Sequence, residues 1–133
     1  TPSGGTATTV TLTQGQTHTI TGANSLDSYR VQACKPIIVF SGGQTAAEGC
    51  TSTNLMVNQM MPFETWGTRF FTVPGAGGAT NYSVKIVGST DGTTISVDSV
   101  QTTTVGKGQS VLLNGLSEPV CIETSSPVQI PDP

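Results

Sequence analysis

The chain has 133 residues, a formal net charge of -3 and only 10% charged side chains, against about 25% in an ordinary soluble domain. Five Lys and Arg in all are too few for the basic patch that nucleic acid or an anionic membrane surface demands. No apolar run approaches the ~18 residues of a bilayer-spanning helix, and the length suits one domain.

Short apolar runs separated by Gly, Pro and Thr recur along the whole chain, which distinguishes it from a disordered one. Thr9-Val10-Thr11-Leu12-Thr13 alternates with period two, predicting a strand with Val10 and Leu12 on one face. Gln14-Gly15-Gln16 then turns the chain into Thr17-His18-Thr19-Ile20 as a partner strand. Threonine suits this role, because its β-branched side chain packs on a pleated surface. Lys35-Pro36-Ile37-Ile38-Val39-Phe40, closed by Ser41-Gly42-Gly43, predicts a buried strand. Pro36 belongs at its first residues or on an edge. Residues 52–61 hold the one plausible helix, a turn or two with Leu55, Met56 and Gln59 at loose helical spacing.

Thr68 to Val73 predicts a strand stopped by Pro74-Gly75, and Asn81 to Val87 alternates with Tyr82, Val84 and Ile86 in register. Ser89-Thr90-Asp91-Gly92-Thr93-Thr94 is the strongest hairpin signal, since Asp-Gly suits a type I′ turn. Ile95–Val97, Thr103–Val105, Gln109–Leu113, Val120–Glu123 and Val128–Ile130 complete about eleven expected strands. The fold class is therefore all-β, an antiparallel β-sandwich (jelly-roll-like or Ig-like) of about ten to twelve short strands. Residues 1–133 read as a single module, itself a mature product or one unit of a longer or repeating extracellular protein.

The chain also echoes itself. Leu12-Thr13-Gln14-Gly15-Gln16 to Ile20, then Pro36-Ile37, parallels Val105-Gly106-Lys107-Gly108-Gln109 to Leu113, then Pro127-Val128. One echo falls short of the three or more units of a solenoid. It points to pseudo-symmetry within one sandwich or to the start of a tandem array.

Residues for catalysis are scarce. His18 is the one histidine, no G-x-S-x-G elbow accompanies it, and it reads as a solvent-facing strand residue. A zinc site needs three or four His or Cys ligands that this chain does not gather. Asp27, Glu48, Glu64, Asp91, Asp98, Glu118, Glu123 and Asp132 are spread singly, mostly near turns. Assembling a glycosidase pair would require two of them to meet in space. Gly75-Ala76-Gly77-Gly78 leads into a strand rather than a helix, so it is no phosphate loop. The expectation is a non-enzymatic protein with no metal and no cofactor.

Three cysteines leave one thiol over. Cys34 with Cys50 is the expected disulfide, worth about 3 kcal/mol for a loop of that size. Cys50 with Cys121 is the alternative. Asn81-Tyr82-Ser83 is an N-glycosylation acceptor in a eukaryotic secretory route. With the Thr/Ser richness and scarce Lys, it favours secretion to an extracellular setting.

Met60-Met61-Pro62-Phe63-Glu64-Thr65-Trp66-Gly67 concentrates the chain's one Trp and two of its three Met. Trp66 is expected to plug one end of the sandwich beside Phe40, Phe70 or Phe71. The competing reading is a surface for a partner.

Lys35-Pro36-Ile37-Ile38-Val39-Phe40-Ser41-Gly42, Cys50, Asn54-Leu55-Met56-Val57-Asn58-Gln59-Met60-Met61-Pro62 and Trp66-Gly67 occur in an order that resembles a known family. Asn81-Tyr82-Ser83-Val84 and Asp91-Gly92-Thr93-Thr94 continue the likeness. The family is that of the N-terminal domain of the IgGFc-binding protein, a secreted mucus-associated glycoprotein. The resemblance implies a β-rich extracellular module, part of a longer protein, with no known enzymatic role. Cys50-Thr51-Ser52-Thr53-Asn54-Leu55 departs from the family's C-D-H-L run, so immunoglobulin binding does not carry over from it.

Two functions follow as expectations. The first is a structural subunit or repeat of a matrix, mucus layer or filament, self-associating with copies of the same domain or with other matrix proteins. The second is an adhesion module that binds a glycan or glycoprotein. In the first, Pro127, Val128, Gln129 and Ile130, a strand fenced by prolines, or else the leader up to Thr9, are expected to contact an adjacent copy; the alternative is a tail packed on its own domain.

Overall fold

A computed structural model describes residues 6–22, 26, 29–46, 54–75 and 81–131. Eight strands occur among them: β1 (Phe40–Ala46), β2 (Asn54–Gln59), β3 (Gly67–Thr72), β4 (Tyr82–Gly88), β5 (Thr93–Val97), β6 (Val100–Val105), β7 (Ser110–Leu116) and β8 (Val120–Gln129). One 3₁₀ turn, Phe63–Thr65, joins β2 to β3. The all-β class is as expected; the strand count is lower.

Six strands form one curled antiparallel sheet in the order β6-β5-β8-β4-β7, with β3 also on β8. The ten-residue β8 makes the curl. Its first half pairs with β5 through Thr124, Glu123 and Ile122, and its second half pairs with β4 through Gln129 and Val128. Strand β3 runs along its other side, with a register shift between Gly67 and Arg69. Pro127 sits within the stretch of β8 opposite that shift. Proline is tolerated at such a bulge, where no ladder bond is needed from it. The two halves of the sheet, β6-β5 and β4-β7, thus become two leaves joined by one bent strand.

Between the leaves lies one core of Val84, Ile86, Ile95, Val105, Leu113, Val120, Ile122 and Val128. Every one of these is an alternate, inward position on its strand, the period-two rule visible in the sequence. Ile86, Ile95, Ile122 and Val128 are fully buried, each contributing on the order of 1.5–3 kcal/mol of burial.

The Asp91-Gly92 turn is not the expected hairpin. Strands β4 and β5 do not pair with each other; β4 pairs with β7 and β8, β5 with β6 and β8. Only Gly92 has a positive φ there, 66°, whereas a type I′ hairpin needs two such residues in succession. The chain instead crosses from one leaf to the other. The β6–β7 connection makes a second crossing, and the two lie against each other. Gly88 N–H donates to Gln109 O at 3.0 Å, and Gly108 N–H to Gly88 O at 2.9 Å. The Lys107 amide donates to the Asp91 carboxylate at 2.8 Å. The type I′ position belongs to Asp98-Ser99, with φ of 49° and 69°, where β5 turns back as β6.

The described residues before Phe40 differ most from expectation. Residues 6–22 and 29–39, as far as described, contain no strand. The Thr13-to-Gln16 turn forms, with Gln16 N–H donating to Thr13 O at 3.0 Å, but its arms pair with no strand among the described residues. Residues 36–38 are exposed rather than buried, Ile38 at 70%, and cross-strand bonding starts at the half-buried Val39, whose carbonyl accepts from Met60 N–H at 2.9 Å. Residues 54–59, where a short helix is expected, are a strand instead. Phe40↔Gln59 and Gly42↔Val57 pairing with β1 overrides the loose helical spacing.

Candidate functional site

The segment between β2 and β3 turns a sharp corner. Pro62 precedes the 3₁₀ turn with φ of -63°, the value its ring enforces. Its carbonyl accepts from Thr65 N–H at 2.9 Å and from Thr65 Oγ1 at 2.7 Å. Trp66 N–H then donates to Phe63 O at 3.2 Å, and its indole Nε1–H reaches Met61 O at 3.4 Å. These bonds hold the Phe63 and Trp66 rings 5.0 Å apart, tilted at 39°, within the preferred range of aromatic pairs.

Trp66 is therefore not the core plug that its rarity suggests. It is half-buried, it stands outside the core cluster, and its ring neighbour is Phe63. Phe40 and Phe71 are exposed as well, and only Phe70 packs on the core. The physical reason is local: a six-residue hydrogen-bonded corner fixes the indole against Phe63 before β3 begins. Phe63 and Met61 are 55% and 56% exposed, leaving apolar surface beside the indole. Sequence signals for this corner existed in the Met-Met-Pro-Phe run, but they do not distinguish plug from platform.

The other sequence candidates scatter. Cys34 is exposed and Cys121 partly buried, both as free thiols. Cys50, the expected partner of Cys34, lies outside the described residues. Asn81 is exposed just before β4, and Ser83 of its sequon donates to Asn114 Oδ1 at 2.9 Å. His18 is exposed in the unpaired leader. Pro127, Val128, Gln129 and Ile130, expected against another copy, are built into this domain's own sheet. Val128 pairs with Gly88 and Gly67 and is fully buried, while Ile130 packs on the core.

Asp91, Asp98 and Glu123 have structural occupations. Asp98 accepts the Cys121 amide at 2.9 Å, while Asp98 N–H donates to Cys121 O at 2.9 Å. Glu123 meets Arg69 at 3.0 Å on the sheet surface. Arg69 is held above its ordinary range by its hydrogen bond to Cys121 and by the Glu123 charge. Among the described residues no three His, Cys, Asp or Glu side chains converge.

A family model described as IgGFc binding protein matches residues 1–131. The chain belongs to the IgGFc-binding protein family. The match spans nearly the whole chain, so the unpaired leader is as much a part of the family's pattern as the sandwich. No curated protein and no solved structure matches the chain. Members of this family are typically secreted, extracellular and binding or mucus-associated. No helix among the described residues is long and apolar enough to cross a membrane.

Proposed function

We propose that this IgGFc-binding family domain is a secreted, non-catalytic recognition module that docks a glycoprotein on the Met61–Trp66 corner. The observation that carries it is Trp66 held half-buried against an exposed Phe63, outside the core. A rigid aromatic pair flanked by Met is a low-entropy anchor of the kind that dominates protein interfaces. Its rigidity comes from main-chain bonds, so little ordering remains to be done on binding. Asp91, Asp98 and Glu123, each bonded within the scaffold, support the non-catalytic part. Exposed Asn81 fits a glycosylated protein.

The matrix-subunit reading loses the support of residues 127–130, which lie inside the sheet. It keeps one observation in its favour, the uncharged and unpaired leader. Binding of the full chain to immobilised IgG Fc, to a mucin and to the same mucin stripped of glycans tests the recognition reading. The double substitution Met61→Ala, Phe63→Ala, at exposed positions, is expected to weaken binding at least about tenfold while thermal unfolding is unchanged. Equal binding by the double variant and the parent would refute the corner as the site.

A further inference from the structure

The two crossings leave the sandwich open along one side. Among the described residues β6 pairs only with β5, and β7 only with β4, so both leaves end there in edges facing the same seam. An open groove there, about 410 Å³, is lined by Val97, Val111, Leu112 and Leu116 together with Thr102 and Asn114. Val100-Gln-Thr-Thr-Thr-Val105 and Ser110-Val-Leu-Leu-Asn-Gly-Leu116 contain no charge and no proline, two of the devices by which natural edges avoid pairing. Each carries one register shift, at Thr102 in β6 and between Leu113 and Leu116 in β7, and the rest of each edge is regular.

The same chain carries strand-patterned segments that belong to no sheet. The leader's turn reproduces the β6–β7 crossing in detail. Gly15 has φ of 81° and Gly108 of 65°. Gln16 N–H donates to Thr13 O at 3.0 Å, and Gln109 N–H to Gly106 O at 3.1 Å. The flanking apolar positions correspond too, but their fates are opposite. Val105 and Leu113 are 4% and 7% exposed, whereas their counterparts Leu12 and Ile20 are 46% and 48% exposed. Residues 6–22 carry no Lys, Arg, Asp or Glu, so no charge repulsion opposes their pairing with the uncharged edges.

The geometry points to the leader of one copy seating in the β6/β7 seam of a second copy. Its two arms, 9–13 and 17–20, extend the two leaves, and Val10, Leu12 and Ile20 fill the groove. Donor and acceptor are different surfaces, so the contact is head-to-tail and propagates along a chain of copies. The main-chain bonds give affinity and the groove gives register. This goes beyond recognition at the aromatic corner and does not depend on it.

Sedimentation velocity of the full chain over a concentration series tests it, with Leu12→Lys as donor variant and Leu112→Asp as acceptor variant. Both positions are exposed, and Leu112 pairs with Lys85 across the ladder, so folding is retained. The parent is expected to grow beyond a dimer with concentration. Each variant alone is expected to remain a monomer, and their equimolar mixture to stop at a heterodimer, because one intact donor and one intact acceptor remain. A parent that stays monomeric at its solubility limit overturns the inference. So does assembly that survives both substitutions, or a mixture that stays monomeric. Hydrogen exchange protection of residues 9–13 in a monomer would place the leader in its own seam and overturn it equally.

Discussion

Gly88→Ala tests whether the two crossings close the sandwich as described. A Cβ at Gly88 would lie 2.6 Å from Gly106 O, 2.8 Å from Val105 Cγ1 and 3.3 Å from Val105 Cγ2. The first of these is main chain and cannot rotate away. Gly88 is not among the positive-φ glycines, so alanine brings no dihedral strain and the cost is purely steric. Overpacking of this kind costs about 1–3 kcal/mol. Separating the crossings would also weaken the Gly88–Gln109 and Gly108–Gly88 bonds, each worth about 1 kcal/mol. The expected loss is about 3 kcal/mol, or roughly 10 °C in Tm for a chain of this size. Urea unfolding followed by far-UV circular dichroism measures it through the midpoint, at an unchanged slope. Two further variants calibrate the result. At Gly106 the nearest atom is Oε1 of the Gln109 side chain, 2.5 Å away, which can swing aside, so Gly106→Ala should cost about 1 kcal/mol. Gly43 has nothing within 4 Å, and Gly43→Ala should stay within about 0.5 kcal/mol of the parent. A Gly88→Ala shift as small as that of Gly43→Ala would refute the contact between crossings.

Ser99→Gly should stabilise by roughly 0.5–1 kcal/mol, because Ser99 has φ of 69° in the β5–β6 turn and glycine adopts that region without a Cβ penalty; thermal unfolding reads it. Tyr82→Phe should cost about 1 kcal/mol by removing the hydroxyl that donates to Glu118 O at 2.9 Å and meets Thr72 Oγ1 at 3.1 Å. Arg69→Ala should leave the unfolding midpoint almost unchanged, since the Arg69–Glu123 pair is 75% and 41% exposed; any effect should vanish in high salt. Trp66→Ala should cost well under the ~3–5 kcal/mol of a core Trp, and a denaturation midpoint shifted by the full core amount would return Trp66 to the interior.

The half of the fold from residue 67 onward was legible because its strands alternate and its partners are all present. Tyr82, Val84 and Ile86 share one face as their spacing predicts, and Val84 and Ile86 reach the core. Pairing was less legible. Asp91-Gly92 looks like a hairpin in any local window, and only the β8 partners of β4 and β5 reveal it as a crossing. Asp98-Ser99, the true two-residue hairpin turn, lacks the Asn-Gly or Asp-Gly signature and stands in positive φ on residues that rarely adopt it. Val120–Glu123 and Val128–Ile130 read as two strands because Pro127 separates them. A bulge opposite β3 lets one strand contain the proline. The leader shows the converse. Thr9–Thr13 has a flawless strand pattern and no strand, since a pattern specifies which face is apolar but not what covers it.

The position of the seam decides whether assembly and recognition can coexist in one molecule. Strand β3, which the aromatic corner leads into, lies along the side of β8 away from both β5 and β4, while β6 and β7, which border the seam, lie beyond β5 and β4. Two intervening strands therefore separate the corner's edge from the seam's edge. A leader seated between β6 and β7 leaves the Phe63–Trp66 pair uncovered. A head-to-tail row of copies would then repeat the corner once per copy along one side. Individually weak corners gain effective concentration when a partner offers several sites, as a mucin-like glycoprotein does, and avidity can exceed single-site affinity by about 10²–10⁴. The leader would in that case act on recognition without touching the ligand. Leu12→Lys, which leaves every corner residue in place, should reduce retention on a multivalent mucin surface while leaving binding to a single-site fragment unchanged. Equal losses on both surfaces would mean that the leader itself contacts the ligand, and unchanged retention on both would separate the two functions entirely.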